Sequence, residues 1–201
     1  MKAAAILLSG GKSSRMGTNK ALLKINEKTN IERIRDELLK LFDEVILVTN
    51  EPEEYDFLNL KTVADEYPGK GPLAGIHAGL KASSFDANLV VACDMPFVSA
   101  ELAENMVKNL GHHDAVVPVI GGRQHPLFAV YQKSITEAVE ACIQKDSLRL
   151  KHLFETLDVL FLTEQDLETY SHGSLERIFF NMNKPEEYEL AVLQANEEAS
   201  R

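Results

Sequence analysis

The sequence predicts an α/β fold built on a largely parallel sheet. Short apolar runs alternate with amphipathic helical stretches along the 201 residues, which is the pattern of strands separated by helices. The first run, Ala3 to Leu8, is apolar throughout, as expected of a strand buried on both faces, and a glycine-rich loop follows it directly. No internal repeat, low-complexity segment or clear linker interrupts the pattern, so we expect a single domain over residues 1–201.

The individual elements follow from these runs and from the residues at their ends. The predicted strands are Ala3 to Leu8, Val45 to Thr49, Leu89 to Ala92, Ala115 to Val119, Leu127 to Tyr131 and Ile178 to Phe180. Helix starts are predicted from a Thr-x-x-Glu capping box at Thr29 and Glu32, an N-cap at Ser99, a capping pair at Ser134 and Glu137, and a first helical residue at Pro185.

Composition and charge restrict the class of protein. With 45% hydrophobic and 26% charged residues the chain is typical of a soluble globular protein, and no apolar run approaches the roughly 20 residues of a membrane helix. The N-terminus lacks a long apolar core followed by small residues, so we expect no signal peptide and a cytoplasmic location. A net charge of -10 argues against a broad nucleic-acid surface. Two distant cysteines, Cys93 and Cys142, indicate neither a disulfide framework nor a zinc site.

The loop after the first strand has the composition of an anion site. Residues Ser9 to Lys20 read SGGKSSRMGTNK, with three glycines, three cations and no acid. Glycine lets backbone N–H groups approach an anion closely, and Lys12, Arg15 and Lys20 can surround it with positive charge, which suits a triphosphate. A Walker loop would need glycine where Ile6 stands, and Lys12 interrupts a dinucleotide-binding Gly-x-Gly-x-x-Gly. The alternative is that the segment from Ser9 to Lys20 is only a solvated Gly/Ser turn with incidental lysines.

A carboxylate is predicted at the same edge of the sheet as this loop. In VVACDMPF, residues 90–97, a buried strand leads to Asp94, and Pro96 ends the strand. One such carboxylate can hold Mg2+ together with water and substrate phosphates. The alternative is that Asp94 only caps a turn or a helix.

A third segment, from Ala64 to Leu80, combines turn dipeptides with a helical pattern. Pro68-Gly69 and Gly71-Pro72 mark a loop, and the apolar residues that follow at helical spacing predict a helix. Asp65 at the start of this segment could accept hydrogen bonds from a nucleobase or a ribose. The alternative is that Asp65 is only a surface turn residue.

Five segments occur in the order and spacing of one enzyme family. They are Leu8-Ser9-Gly10-Gly11-x-Ser-x-Arg15-Met16-Gly17-x-x-Lys20, then Asp65, then Gly71-Pro72-Leu73-Ala74-Gly75, then Cys93-Asp94-Met95-Pro96, then Asn181-x-Asn183-x-Pro185. In these segments the chain resembles the molybdenum cofactor guanylyltransferases nearly from end to end. The resemblance implies a Rossmann-like three-layer α/β/α fold with a mostly parallel sheet, similar to nucleotide-diphospho-sugar transferases. It also implies Mg2+-dependent transfer of GMP from GTP to the terminal phosphate of molybdenum-molybdopterin, with release of pyrophosphate.

The resemblance also implies roles for particular residues. The positions matching GTP contacts are Leu8, Ser9, Gly10, Lys20, Asn50, Asp65 and Asp94, to which the loop argument adds Gly11. Asp94 matches the Mg2+ ligand, Arg15 and Lys20 would stabilise the departing pyrophosphate, and Asn181 and Asn183 match asparagines on the pterin side. Arg123, in an Arg-x-His-Pro stretch, is a candidate for binding a pterin phosphate. Asn19 departs from the Asp common before the lysine, which removes one carboxylate.

Several of these residues have a structural alternative. Asn181 and Asn183 could instead satisfy backbone groups at a helix start. Gly121-Gly122-Arg123 before an apolar strand is typical of a hairpin, and His112-His113, without a third ligand at useful spacing, is typical of a surface turn.

Three hypotheses for function remain at this point. Phosphoryl-type transfer needs positioning and charge neutralisation more than a covalent nucleophile, which agrees with the absence of a Gly-x-Ser-x-Gly elbow or a His-Glu-x-x-His motif. The first is the guanylyltransferase, with transient contacts to the molybdenum insertion protein and to recipient molybdoenzymes. The second is a related nucleotidyltransferase that uses CTP, UTP or ATP on another pterin or a sugar phosphate. The third is a non-catalytic nucleotide-binding or partner-binding module.

Overall fold

The computed structural model of the chain describes residues 2–10, 19–168 and 174–199. Within them the strands are β1 (Ala4–Leu8), β2 (Lys24–Ile25), β3 (Lys28–Thr29), β4 (Glu44–Val48), β5 (Lys61–Val63), β6 (Ala87–Ala92), β7 (Ala115–Ile120), β8 (Arg123–Gln124), β9 (Phe128–Gln132) and β10 (Val159–Thr163). The α-helices are α1 (Asn30–Leu38), α2 (Pro72–Ala82), α3 (Ala100–Leu110), α4 (Thr136–Gln144), α5 (Leu150–Phe154), α6 (Glu164–Glu168), α7 (Leu175–Ile178) and α8 (Pro185–Ala199). Short 3-10 helices cover Lys20–Leu22, Pro52–Leu58 and Lys133–Ile135.

The main sheet is mixed but mostly parallel, as predicted. Its strand order is β10-β7-β9-β6-β1-β4-β5, with β8 attached to β7. Strand β1 pairs in parallel with β4 and β6, β4 with β5, and β7 with β10, whereas β9 runs antiparallel to both β6 and β7. Leu8 faces Val48 on one side and Ala92 on the other, and Val48 faces Val63. The last residues of these four strands therefore lie together at one edge of the sheet, the carboxyl edge.

Helices cover both faces of the sheet because successive residues of a strand point to opposite sides. In β1, Leu7 packs in one hydrophobic cluster with Ile31 and Ile34 of α1. Its neighbour Ile6 packs in a second cluster with Leu73 and Ile76 of α2. This three-layer α/β/α arrangement confirms the predicted fold class.

The N-caps predicted from the sequence are present at α1 and α3, but the one predicted for α4 is absent. Glu32 N donates to Thr29 Oγ1 at 3.4 Å and Thr29 N donates to Glu32 Oε2 at 2.8 Å, so the capping box is complete. Ser99 accepts from Leu102 N at 3.2 Å. Ser134, by contrast, lies inside the 3-10 helix Lys133–Ile135, and no side chain in the described part of the protein caps α4. The 3-10 turn runs directly into α4 and leaves no free helix start for a serine cap.

The predicted strand at Ile178 to Phe180 is wrong. Residues Leu175–Ile178 form the short helix α7, and Phe179 is its C-cap residue. Leu175, Ile178 and Phe179 are all buried, at the i, i+3 and i+4 spacing of a helix face. A short apolar run does not by itself distinguish a strand from a buried helix turn, and here the helix packs into the core.

The predictions on cysteines and membrane segments can also be compared with the structure. Cys93 and Cys142 are free and half-buried, as expected without a disulfide framework. Across the described stretches of the chain no helix has both the length and the apolar character needed to cross a bilayer.

Candidate functional site

The chain leaves the sheet at the carboxyl edge through Ser9 and Gly10. Ser9 N donates to Val48 O at 2.9 Å, and Leu8 O accepts from Cys93 N at 3.1 Å, so the ends of three strands are held side by side. Gly10 is exposed, and a Cβ placed on it would meet no atom of the described residues within 4 Å, so a ligand can approach its backbone. Gly11 and Arg15, which belong to the same predicted loop, lie outside the described residues.

Tyr55 contacts both ends of this loop and was not predicted from the sequence. It lies in the 3-10 helix Pro52–Leu58, and it is 3% exposed. Ser9 Oγ donates to its phenol oxygen at 2.7 Å, and Asn19 Nδ2 donates to the same oxygen at 2.8 Å. No motif surrounds Tyr55, since PEEYDF has neither a strand nor a helix period, and only the fold reveals its contacts.

Lys20 links the loop to the segment before α8. Its Nζ donates to Asn183 Oδ1 at 2.9 Å, which brings together two residues that are 163 positions apart. Asn181, by contrast, donates from Nδ2 to Phe179 O at 2.9 Å and is thus bonded locally. Asn183 N donates to Glu187 Oε2, so at this helix start it is Glu187 that satisfies a backbone group, and the side chain of Asn183 bonds to Lys20 instead.

Asp94 lies directly beyond β6, close to Lys20. Burial raises the pKa of the Asp94 carboxyl above its usual value, and the ammonium of Lys20 acts in the opposite direction. Its backbone oxygen accepts from Met182 N at 2.8 Å, which fixes the Asn181–Asn183 segment beside it. A half-buried carboxylate at the carboxyl edge of the sheet fits the ligand chemistry of Mg2+. Burial raises the pKa of the neighbouring Cys93 to about 12, so that thiol stays neutral and is not a nucleophile.

Asn50 and Asp65 form a reciprocal pair beyond β4 and β5. Asn50 Nδ2 donates to Asp65 Oδ2 at 3.0 Å, and Asp65 N donates to Asn50 Oδ1 at 3.1 Å. The second carboxylate oxygen, Oδ1, is buried and has no hydrogen-bond partner among the described residues. A buried acceptor without a partner costs free energy, which makes Oδ1 a suitable acceptor for a donor group on a ligand.

Arg123 lies on the opposite flank of β6, in the predicted hairpin. Strands β7 and β8 pair across Gly121 and Gly122, both of which have positive φ. Leu127, just beyond the hairpin, accepts through its backbone oxygen from Ala92 N at 2.9 Å. The stretch that follows the hairpin thus adjoins β6, the strand that leads to Asp94, while the hairpin itself is separated from β6 by β9 and Arg123 is exposed.

The histidine pair lies at the other edge of the sheet. His112 and His113 form a turn before β7, as predicted, but a third possible ligand is present that the sequence spacing does not reveal. Asp158, just before β10, accepts from His113 Nδ1 at 3.1 Å, and its Oδ2 is 4.0 Å from His112 Nε2. This group is at the amino ends of β7 and β10, away from the loop, and takes no part in the candidate site.

The carboxyl edge therefore carries a glycine-containing loop start, a lysine, a carboxylate suited to a metal and an acid–amide pair, and its described residues include no activated nucleophile. Together with the strand order, these features define a nucleotidyltransferase. The model of the MobA-like NTP transferase domain matches residues 5–160 of the chain.

Comparison with related sequences identifies the family within the nucleotidyltransferases. The chain is 36% identical over 195 residues to a probable molybdenum cofactor guanylyltransferase from Pelotomaculum thermopropionicum, covering 97% of this chain and 94% of the relative. It is 37% identical over 190 residues to a protein of the same description from Clostridium perfringens strain 13, covering 94% and 96%. The chain belongs to the molybdenum cofactor guanylyltransferase family.

Solved structures agree with this assignment. The crystal structure of molybdopterin-guanine dinucleotide biosynthesis protein A from Archaeoglobus fulgidus superposes with a TM-score of 0.83 at 25% identity, covering 96% of this chain and 99% of that one. The 2-C-methyl-D-erythritol 4-phosphate cytidylyltransferase from Thermus thermophilus has a TM-score of 0.67 at 19% identity, covering 95% and 98%. The second similarity is one of fold alone.

Proposed function

We propose that the protein transfers GMP from GTP to the terminal phosphate of molybdenum-molybdopterin, forming the molybdopterin guanine dinucleotide cofactor and releasing pyrophosphate. Residues 1–201 would act as one nucleotidyltransferase domain. The observation that carries the proposal is the hydrogen bond between Lys20, from the glycine loop, and Asn183, from the predicted pterin side, next to Asp94. A residue proposed to bind the nucleotide donor, Lys20, is thus in direct contact with one proposed to bind the pterin acceptor, Asn183.

The phosphates of GTP would lie over the start of the glycine loop. Backbone N–H groups of Gly10 and Gly11 donate to phosphate oxygens, and Leu8 and Ser9 border the same position. Lys20 and Arg15 offset the charge that develops on the departing pyrophosphate, which is the main demand of phosphoryl-type transfer. The acceptor phosphate is already anionic at neutral pH, so no general base is needed.

Asp94 would hold the Mg2+ ion. Mg2+ held there would supply positive charge against the phosphates of GTP. The chain's own contribution is a carboxylate on a backbone position that the hydrogen bond from Met182 N holds in place, with the ammonium of Lys20 acting on it.

Asn50 and Asp65 would recognise the guanine base. Guanine presents two donors on its base-pairing edge, N1–H and the exocyclic amino group, and a carboxylate accepts from both. The unpartnered Oδ1 of Asp65 supports this role because it is an acceptor that no described residue satisfies. Adenine has an acceptor at N1, which a carboxylate repels, so the pair favours GTP over ATP.

The acceptor would lie on the other flank of β6. Asn181 and Asn183 approach it from the segment before α8, and Arg123 from the hairpin offers a guanidinium to a pterin phosphate. We place the reaction in the cytoplasm, with transient transfer contacts to the molybdenum insertion protein and to recipient molybdoenzymes. Removing Arg123 without loss of acceptor affinity would contradict its role.

A calorimetric titration tests the donor half of the proposal. Wild-type protein is titrated with GTP, ATP, CTP and UTP, each with and without Mg2+, and the full set is repeated on Asp65→Asn and Lys20→Ala. We expect preference for GTP, loss of that preference in Asp65→Asn, and weaker binding of every triphosphate in Lys20→Ala. A preference for a pyrimidine nucleotide would overturn the assignment of guanine and of the acceptor. Turnover is tested by measuring pyrophosphate release, which we expect only when both Mg2+ and the pterin acceptor are present.

A further inference from the structure

Tyr55 joins the two chain segments that flank residues 11–18. Its phenol oxygen accepts from Ser9 Oγ at 2.7 Å and from Asn19 Nδ2 at 2.8 Å. The ring itself is buried in the same hydrophobic cluster as Leu7 and Leu47, on the sheet that carries the site. The buried ring of Tyr55 therefore fixes one phenol oxygen to which both segments, through Ser9 and Asn19, are hydrogen-bonded.

Asn19 also connects Tyr55 to Lys20, the next residue in the chain and the first of a 3-10 helix that Asn19 caps. Asn19 Oδ1 accepts from Ala21 N at 3.1 Å and so caps the 3-10 helix Lys20–Leu22, while its Nδ2 donates to Tyr55 and, at 3.0 Å, to Glu54. Both ends of the Asn19 amide are thus occupied, which fixes the first turn of that helix. The next residue along the chain is Lys20, whose Nζ is already oriented by Asn183.

We infer that Tyr55 is a positioning residue that sets the place of the Lys20 ammonium, and through Ser9 that of the loop start, for the β- and γ-phosphates of the nucleotide. The inference rests on the proposed function, because it assigns to Lys20 a role on the pyrophosphate group. Tyr55 touches no reacting atom in this scheme. It acts by holding Ser9 and Asn19 in place before the nucleotide binds, and such preorganisation strengthens charge-assisted contacts.

The test compares nucleotides with and without the β- and γ-phosphates. Tyr55→Phe keeps the ring and its packing and removes both hydrogen bonds, so we expect GTP affinity in the presence of Mg2+ to fall roughly tenfold. Affinity for GMP, which lacks the phosphates that Lys20 contacts, should stay within about twofold. Tyr131→Phe is the matched control, since Tyr131 is also buried and loses one hydrogen bond, to Pro126 O, without contacting the described ends of the loop. We expect it to leave both affinities unchanged.

A double-mutant cycle distinguishes positioning from a general effect on folding. In the Lys20→Ala background, Tyr55→Phe should cost clearly less GTP affinity than in the wild type, because one of the two groups that it positions is gone. Asn19→Ser is a second variant that keeps a capping oxygen but is too short to reach Tyr55, and it should reproduce the selective loss for GTP.

Four results would overturn the inference. Equal losses for GTP and GMP, or full additivity of Tyr55→Phe with Lys20→Ala, would mean that Tyr55 only stabilises the fold. Unchanged GTP affinity in both Tyr55→Phe and Asn19→Ser would remove Tyr55 from the site while leaving the proposed function intact. Unchanged GTP affinity in Lys20→Ala would overturn the phosphate site of the proposed function and this inference together.

Discussion

Asp94 is the residue on which the proposed chemistry most depends. Its carboxylate is largely withdrawn from water, and this burial raises its pKa although Lys20 lies nearby. A buried carboxylate without full compensation binds a cation at less desolvation cost than an exposed one, since the protein has already removed its water. The position thus favours metal binding and disfavours the free anion.

Replacing Asp94 by Asn should abolish turnover without unfolding the protein. The amide is isosteric, but it is a much weaker Mg2+ ligand, and we expect pyrophosphate release to fall by about 1,000-fold or more. The unfolding temperature should be unchanged or slightly higher, because a disfavoured buried charge is removed. Acceptor-dependent pyrophosphate release and thermal unfolding measure the two effects. Turnover at the wild-type rate would exclude Asp94 from the mechanism.

The sequence was sufficient to predict the residues that directly follow a strand or a glycine loop. Lys20 and Asp94 are of this kind, because strand order in an α/β fold brings such ends together. Tyr55 could not be predicted, since its hydrogen bonds to Ser9 and Asn19 span 46 and 36 positions and depend on how the 3-10 helix folds back. Asn183 was predicted only through the family resemblance, which did not specify its bond to Lys20.

At the scale of elements, α2 packs unusually closely on β1. A Cβ built on Gly79 of α2 would lie 2.3 Å from Ile6 Cγ2, on a strand residue with no exposed surface. Gly75, one turn earlier, would meet only the tip of Leu8, with Cδ2 at 3.1 Å. The two glycines therefore differ in how much space the strand leaves.

Gly79→Ala should destabilise the fold although alanine is the better helix former. The gain in helix propensity is about 1 kcal/mol, and overpacking against a rigid branched side chain costs about 1–3 kcal/mol. We expect a net loss of about 1 kcal/mol in the free energy of unfolding, measured by denaturant titration. Gly75→Ala is the control and should be less destabilising, because a leucine tip can move. Equal effects of both changes would contradict the close approach of helix and strand.

The central strands of the sheet were predictable from the sequence, whereas its two marginal strands and the buried helix α7 were not. The central strands β1, β4, β6, β7 and β9 are apolar runs and were predicted within a residue or two. Strand β5, at one margin, has two exposed residues out of three, and β10, at the other, has an exposed phenylalanine at Phe161. Neither was predicted: β5 (KTV) has no apolar run and is defined by its pairing, whereas β10 (VLFLT) is an apolar run that the sequence analysis did not assign.

At the scale of the whole molecule, Glu44 connects three parts of the chain at the edge opposite to the site. Its carboxylate accepts from Ser84 N at 2.8 Å, from Ser84 Oγ at 3.1 Å and from Lys61 Nζ at 3.3 Å. Strands β4 and β5 and the connection between α2 and β6 are thereby joined. Burial alone would raise the pKa of Glu44, but these hydrogen bonds outweigh it and hold the pKa below the ordinary 4.5.

The contribution of Glu44 to stability should depend on pH. Because the pKa is lower in the folded than in the unfolded state, the stabilisation is complete above the ordinary carboxyl range and is lost as the pH falls through the folded-state pKa. Glu44→Gln should therefore cost about 1 kcal/mol at neutral pH and progressively less on acidification. Denaturant unfolding of both proteins across the acid range measures this, with Glu53→Gln, an exposed site, as control. A cost that does not change with pH would contradict the assignment.

Strand β9 runs against β6 and β7, and its amino end therefore lies at the carboxyl edge beside Asp94. Ser9 and Gly10 after β1 and the loops after β4 and β5 lie on one flank of β6, and the stretch between β8 and β9 lies on the other. These loops are separate stretches of chain, so mutations can remodel one flank and leave the backbone of the other in place. Under the proposed function, substitutions in the loops after β4 and β5 would change the choice of donor and leave the backbone between β8 and β9, on the acceptor side, in place.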